Sequence, residues 1–84
     1  MKVIFTSHAA QRLAQRAHMK VSAGKEFVKL ALDNPNQLDS NSIRRYREKN
    51  WNPNVTIVGY KHLMFVVEVH EIKCEVITVL INKD

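Results

Sequence analysis

Val55-Thr56-Ile57-Val58-Gly59-Tyr60-Lys61, Leu63-Met64-Phe65-Val66-Val67-Glu68-Val69 and Glu75-Val76-Ile77-Thr78-Val79-Leu80-Ile81 follow one another with only short polar breaks between them. These runs are rich in β-branched and apolar residues, which marks them as well-buried strands. Lys61-His62 and His70–Lys73 mark the bends. Connections this short force neighbouring strands to run antiparallel. Upstream, Lys49–Asn54 contains Asn52-Pro53-Asn54 and reads as a turn, and Ile43–Glu48 reads as a further strand rich in Arg. Before that, residues 33–42 form a polar loop.

The chain upstream of this loop has helical character. Thr6 or Ser7 offers an N-cap, and Ala9 to about His18 reads as a helix whose narrow apolar face is Ala10, Leu13, Ala14 and Ala17. A second helix starts after Ser22 and runs to Leu32, with Phe27, Leu30 and Ala31 at i, i+3, i+4. Asn34-Pro35 stops it, because the residue before a proline avoids the α region. Lys2–Phe5 is a short β-prone start. The expected fold is therefore α+β: two N-terminal helices packed on one face of a four-stranded antiparallel meander, with Lys2–Phe5 available as an extra N-terminal edge strand.

With 84 residues the chain, 1–84, is read as a single domain, since a second core has no room to form. The lone cysteine, Cys74, excludes an internal disulfide and a Cys-based zinc site, which fits a reducing cytoplasm. The opening Met-Lys-Val-Ile-Phe turns polar at Thr6, too early for a signal-peptide core, and no apolar run is long enough to span a membrane. The formal net charge is +5, and it is unevenly placed. Residues 1–50 carry +6, whereas residues 51–84 carry −1. A one-sided basic surface suits a polyanionic partner, most often nucleic acid, and the bland alternative is simple solubility.

Three groups of residues are candidates for chemistry. His8, Arg12 and Arg16 stand at i, i+4 and i+8, on one helical face. Like charges at this spacing disfavour a helix slightly, and no acid on the helix relieves them. Arg offers a planar fork of donors that matches phosphate oxygens, and an imidazole can take up or release a proton near neutrality. A solvated polar face is the competing explanation. The second group is Arg44-Arg45-Tyr46-Arg47, read either as a charged edge strand or as a phosphate-binding, base-stacking rim. The third is Thr78, which by strict alternation shares a face with Cys74, Val76 and Leu80 and needs no special explanation in a strand. His18, His62 and His70 are weaker candidates at element ends, and Trp51 reads as packing under its loop. No metal-ligand spacing, phosphate-cradling glycine loop or partnered cysteine nucleophile is present. No cofactor is expected.

Thr6-Ser7-His8-Ala9-x-x-Arg12-x-x-x-Arg16 resembles the opening Ser-x-His-Ala-x-x-Arg-x-x-x-Arg of the small domain-of-unknown-function family 4258. The resemblance continues through Asn34-Pro35, Arg45-Tyr46 and Thr78-Val79, and so covers nearly the whole chain. One departure is the stretch Ala17-His18-Met19-Lys20-Val21-Ser22, where family members often read Arg-Gly-Ile-Ser. That family is placed with the RelE-like and barnase-like ribonuclease toxins. The resemblance implies a RelE-like domain, metal-independent RNA cleavage by 2′-hydroxyl attack, and a cognate antitoxin or other protein partner. It implies His8 as the proton-transfer group, Arg12 and Arg16 on the scissile phosphate, and Arg45, Tyr46 and Thr78 completing the pocket. Arg44 and Arg47 join Arg12, Arg16 and Arg45 as nucleic-acid contacts. The alternatives are a non-catalytic nucleic-acid-binding protein or a phage- or plasmid-borne inhibitor on the same fold, and a protein-interaction domain that pairs through the edge of Ile43–Glu48 or of the N-terminal strand.

Overall fold

A computed structural model describes residues 2–33, 38, 40–50 and 52–82. The element order is β1 (Lys2–Phe5), α1 (Ser7–Ala17), α2 (Val21–Asp33), α3 (Ser40–Lys49), β2 (Thr56–Tyr60), β3 (Leu63–Val69) and β4 (Lys73–Ile81). Asn34-Pro35 and Trp51 lie outside the described residues.

The three downstream strands pair as their sequence predicts: β2 antiparallel to β3, and β3 antiparallel to β4. The fourth strand is β1, which pairs in parallel with β4, Lys2 against Lys73 through Phe5 against Val76. The sheet is therefore mixed, in the order β1-β4-β3-β2, and the antiparallel four-strand meander is corrected to three strands plus this parallel edge. A parallel pair needs a long connection. Here the three helices and two other strands supply it.

Ile43–Glu48 is the second correction: it lies inside helix α3 and is not a strand. In a strand, Ile43 would share its face with Arg45 and Arg47, leaving no apolar face to bury. In a helix, Ile43 and Tyr46 stand three apart and face inward together while Arg44, Arg45 and Arg47 stay exposed. Edge pairing through Ile43–Glu48 is not available to this fold. The edge strands of the sheet are β1 and β2.

The helices cover both faces. On one, Ala9 and Leu13 of α1 and Val28 of α2 pack on Val3, Leu63, Phe65, Val67, Cys74, Val76 and Val79. On the other, Leu38 and α3's Ile43 and Tyr46 pack on Ile57, Met64 and Val66, with Ile77 and Leu80 beside them. This is why Leu63–Val67 is buried without a break: side chains on both faces of β3 are covered. The α1–α2 connection is His18-Met19-Lys20, with α2 starting at Val21, earlier than the sequence suggested. Gly24 lets the two helices close, since a Cβ there would stand 2.5 Å from Leu13 Cδ2 and 2.9 Å from Phe5 Cζ.

Candidate nucleic-acid groove

Two irregularities of β4 build the site. The first is a bulge. Val66 pairs with Thr78 and Val67 with Val76, which leaves Ile77 unpaired. Cys74 and Val76 therefore point into the α1–α2 core, whereas Ile77 and Leu80 belong to the α3 side, as does Thr78 opposite Val66. Strict alternation placed Thr78 with Cys74 and Val76. The extra residue re-aims it, as bulges do. The second irregularity is the end of β1, which leaves the remaining edge of β4 unpaired from Ile77 onward.

Helix α1 takes over that edge. Thr6 N–H donates to Val76 O at 3.2 Å, and Thr6 Oγ1 donates to Ile77 O at 3.3 Å. The same Oγ1 caps the helix by accepting from Ala9 N–H at 3.0 Å, so Thr6 is both N-cap and edge partner. Ten residues on, Arg16 Nη1 donates to Val79 O at 2.6 Å. The helix ends at His18, which adopts the left-handed conformation (φ 53°) and donates its N–H to Ala14 O. His18 is thus a C-cap.

With Ala9 and Leu13 buried against the sheet, the adjacent stripe of α1 faces a groove between α1 and α3. His8, Arg12 and Arg16 form one wall; Tyr46, Lys49 and Asn50 of the α3 end form the other; Ile77, Thr78 and Leu80 are the floor. This cleft encloses about 530 Å³. A second cleft of about 440 Å³ continues from it, sharing Arg16, Tyr46, Lys49, Asn50 and Leu80, and adding Ser42, Arg45 and Ile81. The groove stays open because α3 has no fully buried residue and rests on the sheet only through partly buried side chains.

The predicted site residues largely converge. His8, Arg12, Tyr46 and Thr78 line the first cleft, Arg16 lies between the two clefts, and Arg45 lines the second. Arg44 and Arg47 line neither; Arg44 donates to Asn41 Oδ1 at 3.3 Å on the outside of α3. Arg45-Tyr46 thus reaches the groove from a helix, where a strand had been expected. Lys49 and Asn50, read from sequence as turn residues, are groove residues the sequence reading missed. They stand three and four residues after Tyr46, a signal usable only once α3 is read as helical.

Electrostatically the groove is one-signed. Arg12, Arg16, Arg45 and Lys49 line it, and among the described residues no carboxylate does. A concave wall of one charge focuses its field on an anion. Arg12 donates to Gln15 Oε1 at 3.2 Å, which holds its guanidinium beside its own helix. Burial pushes the Tyr46 phenol above its ordinary range, so it stays protonated and able to donate. Burial also pushes the Cys74 thiol up, and this residue sits in the core away from the groove. Among the described residues, no three His, Cys, Asp or Glu side chains are gathered as a metal set. No described helix is long and apolar enough to cross a membrane.

No family model, curated protein or solved structure matches the chain, so its functional reading rests on the residues and geometry of this groove.

Proposed function

We propose that the α1–α3 groove binds RNA and cleaves it without a metal, as in the toxin-type ribonucleases that the α1 motif resembles. The observation that carries this reading is the meeting of His8, Arg12, Tyr46 and Thr78 in one cationic cleft, although they come from three elements far apart in sequence. In the proposed reaction His8 accepts the proton of the 2′-hydroxyl as that oxygen bonds to phosphorus. The bond from phosphorus to the 5′-oxygen breaks, and Tyr46, held protonated by burial, donates to the leaving oxygen. Arg12 and Lys49 balance the charge that accumulates on the phosphoryl oxygens. The products are a 2′,3′-cyclic phosphate and a 5′-hydroxyl, and solvent exchange returns the proton from His8 to Tyr46. As a toxin the protein would act in the cytoplasm under the control of an antitoxin partner.

A second reading, a non-catalytic nucleic-acid-binding protein or inhibitor on this fold, is favoured by one observation. His8 is exposed, and no described hydrogen bond or carboxylate orients its imidazole. Incubation of purified protein with single-stranded RNA in EDTA separates the two. Cleavage that disappears in His8→Ala supports the enzyme; tight binding with intact RNA supports the binding protein.

A further inference from the structure

The two clefts share a wall but differ in chemistry, and this difference bears on what kind of RNA fits. Only the first cleft contains His8, Arg12 and Thr78. Its contents are those of a phosphate subsite. Only the second contains Ser42, Arg45 and Ile81. There Leu80 gives an apolar floor and Tyr46 a partly buried aromatic wall, while Ile81, which packs toward the α1–α2 core, borders the cleft at the strand edge. Ser42 and Asn50 stand along it with hydroxyl and amide groups, and Arg45 with a planar cation. Arg16 and Lys49 flank this cleft as they flank the first, and an apolar floor with an aromatic wall between cations suits a flat heterocycle carried next to a phosphate.

We propose that the second cleft is a nucleobase subsite, receiving the base next to the phosphate held by His8 and Arg12, so that the substrate is single-stranded RNA with an unstacked base. This rests on the groove being a nucleic-acid site, as proposed above. A base reaches a cleft of about 440 Å³ only when splayed out of its stack. In a duplex the bases are paired and stacked inward, out of reach of such a cleft. Arg45, assigned by the sequence resemblance to the catalytic set, then belongs to base or flanking-phosphate recognition.

The test is a set of anisotropy titrations of the wild-type protein with three probes of equal phosphate number: a 2′-O-methyl single strand, which cannot be cleaved, the same backbone with abasic positions, and a duplex. The expected result is that the base-bearing single strand binds about tenfold more tightly than either of the others. Ser42→Phe, which fills the second cleft without changing charge, should bring the base-bearing strand down to the abasic value and leave the abasic value where it was. Equal affinity for the abasic and base-bearing strands overturns the base subsite while leaving a phosphate-binding groove intact. Retained discrimination in a folded Ser42→Phe protein overturns its location. Failure of all three probes to bind overturns this proposal together with the nucleic-acid reading beneath it.

Discussion

Arg12 and Arg16 look equivalent in sequence and do different work in the structure. Arg16 closes a strand edge by donating to Val79 O, whereas Arg12 donates to Gln15 of its own helix. Arg16→Ala should therefore cost about 1 kcal/mol of stability in urea unfolding, by leaving a partly buried carbonyl unpaired. Arg12→Ala should leave stability unchanged and weaken RNA binding. Thr6→Ala removes a cap and an edge bond together and should cost about 1–2 kcal/mol. Titration gives another check at this scale. Burial raises the Tyr46 phenol from 10.0 and the Cys74 thiol from 9.0, so both are held protonated in the fold. A raised acid stabilises the folded state fully below its unfolded pKa and loses that contribution as pH climbs through the folded value. The melting temperature should fall as pH rises beyond about 9, more steeply beyond about 10, and Tyr46→Phe should flatten the upper part. A melting temperature unchanged through this range would contradict the assignment.

Among the elements, α3 decides how the arginines of residues 44–47 are used. Because Ser40–Lys49 is helical, Tyr46 and Lys49 face the groove while Arg44 and Arg47 line neither cleft. Arg44→Ala and Arg47→Ala should each weaken RNA binding less than Arg12→Ala or Lys49→Ala under the same salt. The α1 stripe and strands β2–β4 were legible in the sequence, because helical period and long β-branched runs each fix one geometry. The α3 segment was not legible, because Ile43 and Tyr46 are its only large apolar residues and two positions are too few to mark a period until the arginines are asked to share a buried face. Thr78's placement was hidden for another reason: a bulge one residue before it breaks the alternation on which any strand reading relies. At the α1–α2 contact, Gly24→Ala gains about 1 kcal/mol in helix propensity. It also pushes into Leu13, which is fully buried, and Phe5. The overpacking, about 1–3 kcal/mol, should win, giving a net loss in chemical denaturation.

For the whole molecule, the charge of +5 now has an address. Four cations converge on one groove, so affinity for single-stranded RNA should fall with salt at a log–log slope of about −3. A flat response would show that the charge serves solubility alone. The parallel pairing of β1 with β4 sets this address, because the strand that precedes α1 ends against Val76 and leaves the next stretch of β4 to the helix. His8, Arg12 and Arg16 are thereby laid beside the bulge that precedes Thr78. The central claim, that this arrangement performs metal-independent phosphoryl transfer with His8 as base, is tested most directly by mass spectrometry of RNA fragments formed in EDTA. The account predicts 2′,3′-cyclic phosphate and 5′-hydroxyl ends, formed at least about 10²-fold more slowly by His8→Ala. Intact RNA, or the same products at the same rate from His8→Ala, would contradict it.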